Sequence, residues 1–140
     1  MAITKDRFEA NDRKNQIYSD FLNDLNPHPV IKDIVRYTNE ASVSRSIRNL
    51  ISTNKGERLY QPDVGCDINK LLFEQMDGAI ADLISIAVSE TVRIHEPRAK
   101  IVKVDVIPSY DENAYVINIF YMIINRKDPV SLTVTLSRVR

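Results

Sequence analysis

Paired carboxylates are the one kind of catalytic group that this 140-residue sequence supplies in quantity, with 19 Asp and Glu residues. A glycoside hydrolase needs a carboxylic acid of raised pKa and a second carboxylate roughly 5 to 9.5 Å away. Glu57, Asp63, Asp67, Glu74 and Glu96 are the acids that could meet in a cleft, with Glu96 and either Glu57 or Asp63 as the pair. So many acids on a small domain produce such pairs by chance. Solvated charges and local ion pairs are the default, and no residue is assigned a catalytic role.

Other chemistry has less to stand on. His28 and His95 are far apart, and neither has a Cys, His or carboxylate partner at a recognised ligand spacing, so no metal site is expected. His95 fits better at a helix C-terminus, where a partly positive imidazole meets the negative end of the dipole. Gly56, Gly65 and Gly78 are isolated turn or cap residues, and nothing cradles a phosphate. Cys66 is the single cysteine, has no histidine close in sequence, and cannot form an intrachain disulfide. No cofactor and no small-molecule substrate is implied.

Two motifs stand out from this background. One is Thr53-Asn54-Lys55-Gly56-Glu57-Arg58, leading to Pro62 and Gly65. The other is Glu96-Pro97-Arg98, where proline fixes the angle at which the chain leaves a helix. Glu96 and Arg98, held by a stiff corner, could make a charge-assisted fork with a partner group. Equally, they could brace the corner internally, through Glu96 with Arg58 or Arg98 with Glu57.

The elements that must position these motifs follow from periodicity. Residues 1 to about 15 mix charges closely, and the chain divides into an N-terminal arm over 1–20 and a single domain over 21–140. Ile17, Tyr18, Phe21, Leu22 and Leu25 recur at helical spacing, and Asn26-Pro27-His28-Pro29 ends that stripe. Val30 to Tyr37 leans towards a strand. Val43, Ile47, Leu50 and Ile51 mark one face of a helix over about 39–53, with Asn39 as its N-cap. A turn-rich loop follows, then a short helix at Ile68 to Leu72, then a long one over 78–95 that Pro97 ends.

From Ala99 the period becomes two. Strands are expected over 99–107, 114–124 and 130–138, joined by two hairpin turns. The last alternates Val130, Leu132, Val134 and Leu136 with Ser131, Thr133, Thr135 and Ser137, and lacks the lysine, proline or bulge that protects an exposed edge. The class is therefore α+β, with N-terminal helices packed on a C-terminal antiparallel β-meander.

Charge bounds the partners. Lys plus Arg also number 19, so the formal net charge is zero and a nucleic-acid groove is not expected. No apolar run is long enough to span a membrane and no signal peptide is apparent, which points to a soluble intracellular protein.

The stretch SVSRSIRNLISTNKGERLYQPDVGCDINKLLFE from Ser42 to Glu74, with HEPRAKIVKVDV at 95–106, resembles the baseplate wedge protein family of contractile-tailed phages. Relatives of that family include a baseplate subunit of type VI secretion systems. The ordered set is specific: an amphipathic helix, T-x-x-G-E-R, P-x-x-G, L-L-F-E, a second helix, E-P-R, then strands.

The resemblance implies a non-catalytic part of the inner baseplate, in the virion tail, assembled in the host cytoplasm. It implies that Glu96, Pro97 and Arg98 join the helical core bundle of the wedge. It also implies that the strand region templates the first tail sheath ring by strand addition. The partners would be other baseplate wedge proteins and the tail sheath protein. Family members have also carried a lysozyme label, which makes a peptidoglycan-cleaving glycoside hydrolase the alternative. A generic adaptor outside any phage is the third reading.

Overall fold

In the computed structural model of the protein, the described residues are 17–21, 27, 32, 34, 36–124, 126 and 128–138. Packing divides the chain into two compact units, Met1–Val43 and Ser44–Arg140.

In the first unit, β1 (Ser19–Phe21) pairs antiparallel with β2 (Arg36–Thr38), and Pro27 bridges to Ile34. Of the helical stripe expected from Ile17 to Leu25, the described residues 17–21 hold strand β1 over Ser19–Phe21 and no helix, while residues 22–26 lie outside the described residues. The physical reason lies at Asn39. Its backbone N–H donates to the Tyr18 carbonyl at 2.8 Å, and its Oδ1 accepts from the N–H groups of Ile17 and Tyr18 at 3.0 and 3.4 Å. These bonds tie residues 17 and 18 to Asn39 at the end of β2, and tertiary pairing overrides a short apolar pattern. Asn39 itself stands at φ 51°, a left-handed conformation that asparagine tolerates well. The guanidinium of Arg36 lies over the ring of Phe21, 5.8 Å from its centroid. Of the strand expected over 30–37, the described residues show β2 at its end. The arm over 1–20 falls mostly on residues 1–16, outside the described set.

α1 (Glu40–Ser52) follows the amphipathic pattern, and in the second unit its Ile47, Leu50 and Ile51 are buried. α2 (Ile68–Leu72) and α3 (Gly78–His95) come next. α3 starts where the Asp77 side chain accepts from the Gly78 N–H at 2.6 Å, and it stops before Pro97. Its Ile84, Val88 and Val92 are fully buried, each worth about 1.5 to 3 kcal/mol of transfer free energy. The helix lies along β3 (Ala99–Ser109). Ser85 Oγ donates to the Val104 carbonyl at 3.1 Å, tying the two together.

β3, β4 (Ala114–Ile123) and β5 (Pro129–Ser137) form an antiparallel sheet in that order. Tyr115, Ile117, Ile119, Tyr121 and Ile123 of β4 point into the core with Leu132 and Val134 of β5. Ser44 of α1 and Tyr121 share a hydrogen bond of 2.6 Å, so the helix is fastened to the centre of the sheet. The helices and the meander are as the sequence predicts, with the small N-terminal sheet in addition.

With β4 central, β3 and β5 are the two edges among the described residues. They differ in character. β3 breaks register between Ile101 and Lys103, carries Lys100 and Lys103, and ends near Pro108. β5 pairs continuously from Pro129 to Ser137, with proline only at its first position. Its burial alternates strictly through Ser131–Thr135, with Leu132 and Val134 inside.

Candidate functional site

The corner between α3 and β3 closes on itself. Arg98 donates from Nε to Glu96 Oε1 at 2.5 Å and from Nη2 to Oε2 at 2.7 Å, a bidentate fork. Glu96 is only 2 % exposed, whereas the Arg98 side chain keeps 31 % exposure. Burial alone would push the Glu96 carboxyl up. The Arg98 fork and a hydrogen bond from Ser46 of α1 outweigh it and hold the pKa below the usual glutamate value. Backbone bonds complete the corner, from Ala99 N–H to the Glu96 carbonyl at 3.1 Å and from Ile124 N–H to the Arg98 carbonyl at 2.9 Å. Pro97 is exposed at its apex.

Neither of the two cross-pairings expected from sequence forms this corner. Glu96 and Arg98 bind each other, because a turn through Pro97 brings their side chains together across two positions. Glu57 accepts instead from the Asn54 N–H at 2.9 Å.

That bond belongs to the second cluster, the loop between α1 and α2. Here Gly56 N–H donates to the Pro62 carbonyl at 2.7 Å and Cys66 N–H to the Thr53 carbonyl at 2.8 Å. Gly65 stands at φ 134°, and a Cβ there would lie 2.5 Å from the Thr53 carbonyl oxygen. Only glycine fits. Gly56, at φ 85°, has open space around it and is required only by conformation. Gly56, Glu57, Pro62 and Gly65 therefore hold the loop in shape, and Arg58 lies exposed beside its tip.

At that tip Leu59 and Tyr60 are 93 % and 97 % exposed. Sequence reasoning passed over them. The available signal was two large apolar residues between Arg58 and Gln61-Pro62, where a turn needs neither.

The third cluster is the β5 edge with Val130, Leu132, Val134 and Leu136. The corner, the loop and the edge strand lie on separate elements. Among the described residues, no group of three or more His, Cys, Asp and Glu residues could hold a metal ion. No helix among the described residues is long and apolar enough to cross a membrane. Burial pushes the Cys66 thiol up in pKa, against hydrogen bonds from Thr91 and the Ile68 backbone that lower it. His95 is the last residue of α3.

The chain is similar to known proteins both in sequence and in fold. Residues 38–128 match the family described as baseplate wedge protein gp25. The chain is 33 % identical over 119 residues to baseplate wedge protein gp25 of enterobacteria phage T4, covering 83 % of this chain and 87 % of that one. A Geobacter sulfurreducens protein provisionally described as a tail lysozyme superposes with a TM-score of 0.71 at 27 % identity, over 76 % of this chain and 96 % of its own. A subunit in the baseplate complex of a type VI secretion system shares the fold, with a TM-score of 0.59 at 19 % identity over 68 % of this chain and 89 % of its own.

Proposed function

The chain belongs to the baseplate wedge protein gp25 family, and from that premise we propose that it is a structural, non-catalytic subunit of a contractile-tail baseplate. In this reading it joins other wedge proteins through the Glu96–Pro97–Arg98 corner. It also offers β5, over Val130 to Leu136, as a strand-addition template for the first ring of sheath protein. Its place is the virion tail, after assembly in the host cytoplasm.

The observation that carries this reading is the difference between the two sheet edges. β3 bears the bulge and lysines that discourage pairing, and β5 bears neither. Strand addition supplies affinity through the main chain, so it needs an edge of this unprotected kind. At the corner, Glu96 is buried and held by Arg98, so a partner would meet Pro97 and the outer side of the guanidinium. Glu96 acts there by fixing the fork.

The hydrolase reading finds its main candidate acid in the wrong state. A general acid needs a raised pKa, and Glu96 is buried in an ion pair that lowers it. Purified protein should release nothing from isolated peptidoglycan between about pH 4 and 8. Turnover that disappears in Glu96→Gln would reinstate catalysis.

The edge itself is tested by proline placed singly at Leu132, Thr133, Val134 and Thr135. N–H groups of an edge strand point alternately inward and outward, so one parity should spare the ladder while the other removes a bond. Leu132 and Val134 share one parity and also lose core side chains, whereas Thr133 and Thr135 share the other and report on the ladder without a change in the core. The expected result is at least one folded variant that no longer nucleates sheath. Folded variants that nucleate sheath normally would place the contact elsewhere.

A further inference from the structure

We propose that Leu59 and Tyr60 are a preformed anchor that inserts into an apolar socket, with a carboxylate on its rim, on another protein of the same baseplate. The proposal rests on the structural reading above and adds a contact that neither the corner nor the β5 edge provides.

Exposure is the first argument. At 93 % and 97 %, these side chains stand well beyond the next most exposed large apolar residue among those described, Phe73 at 67 %. They add nothing to the core.

Turn chemistry is the second. Gln61 N–H donates to the Arg58 carbonyl at 3.3 Å, so Leu59 and Tyr60 are the two central residues of a β-turn. Those positions ordinarily go to Pro, Asn, Asp, Ser or Gly, each for a local reason that Leu and Tyr do not share.

Rigidity is the third. The turn is closed behind by the Gly56–Pro62 bond at 2.7 Å, and Val64 N–H donates to the Gln61 carbonyl at 3.2 Å. Further down, Asn69 Nδ2 donates to Asn54 Oδ1 at 2.7 Å. A tip held in this way loses little conformational freedom when it binds, and tyrosine is among the residues most often found as binding hot spots.

The occupant follows from area and charge. Two copies meeting tip to tip would hide only these side chains, several hundred Å² against the roughly 1,200 Å² that a stable interface needs. The tip therefore suits a concave pocket on a different protein that is also held elsewhere. Lys55, Glu57 and Asp63 are exposed in the same loop, but Glu57 turns back onto the Asn54 N–H, and Arg58 is the charged side chain adjoining Leu59 in the turn. A carboxylate on the socket rim is its complement.

The test uses the full chain co-expressed with the other wedge proteins of its own particle. A benzophenone amino acid in place of Tyr60 is irradiated in the assembled wedge, and the cross-linked residues are mapped. They should be apolar residues of a wedge protein other than this chain, with an Asp or Glu nearby. Leu59→Ser and Tyr60→Ser should keep the wild-type melting temperature and lower the affinity for that protein by about thirtyfold or more. Arg58→Glu should also weaken it.

Cross-links only to a second copy, or none in assembled wedges, would overturn the proposal, as would serine variants that bind like wild type. If the wild-type chain never enters a wedge, the structural reading falls with it. If wild type and all variants enter equally, only the anchor falls.

Discussion

Replacing Arg98 by alanine removes two charge-assisted hydrogen bonds, at 2.5 and 2.7 Å, from a carboxylate that is 2 % exposed. Breaking a buried ion pair from one side costs about 3 to 5 kcal/mol, against at most about 1 kcal/mol for an exposed pair. The Arg98 side chain is 31 % exposed, which places the loss near the lower end, about 3 kcal/mol. For a chain of this size that is a fall of about 10 °C in melting temperature.

The pH dependence is the sharper test. In the native protein the Glu96 pKa lies below its ordinary value. Its contribution is therefore fully present above the unfolded glutamate pKa of about 4.3, and is lost as pH falls through the lower folded value. In Arg98→Ala, burial is no longer outweighed by the fork and the pKa should lie above the ordinary value. The folded variant then takes up a proton more readily than its unfolded chain. Its deficit should be largest near pH 7 and shrink as the solution is acidified towards about pH 4. Urea unfolding of the purified proteins, followed by circular dichroism across that range, measures both. Adding Glu96→Gln to Arg98→Ala should recover part of the loss at pH 7 and abolish its pH dependence. A deficit below about 1 kcal/mol, or one that does not change with pH, would refute the reasoning.

Further tests address the loop and the thiol. Gly65→Ala should destabilise by about 2 to 4 kcal/mol, from a strained φ together with a clash on backbone, while Gly56→Ala should cost about 1 kcal/mol. Equal midpoints in urea for the two variants would show that the Thr53–Gly65 approach does not matter. Cys66, buried and of raised pKa, should react with a thiol-specific reagent only as fast as the surrounding structure opens, and rapidly once unfolded in urea. Fast labelling of the native protein at pH 8 would contradict that placement.

The second unit was largely legible in the sequence because its elements are long and strongly periodic. α3 repeats its apolar residues over 18 positions, and β5 alternates without interruption, so each element specifies both its type and its buried face. The segment around Ser19–Phe21 was misread because Ile17, Tyr18 and Phe21 suit either period, and the deciding bonds come from Asn39, some 20 residues away. At the corner, sequence identified Glu96, Pro97 and Arg98 but mispaired them. Partner choice between charges depends on a turn geometry that composition does not encode. Leu59 and Tyr60 were passed over, although their place between Arg58 and Gln61-Pro62 offered a signal, for a related reason. An apolar residue reads as core until a structure shows that nothing covers it.

The unequal edges of the sheet have a consequence for how far association can run. Were two copies to meet through β5, they would make one continuous sheet whose outer strands are both β3, each bulged and lysine-bearing. Growth would stop at two, because neither free side templates another strand, and the endless stacking that leads to fibrils has nowhere to begin. A foreign strand docked on β5 meets the same arrangement from the other direction, since any further extension must proceed from the newcomer. If β5 takes a foreign strand as proposed, the sheet is a terminus with a built-in polarity, able to begin a row of strands and unable to sit in the middle of one.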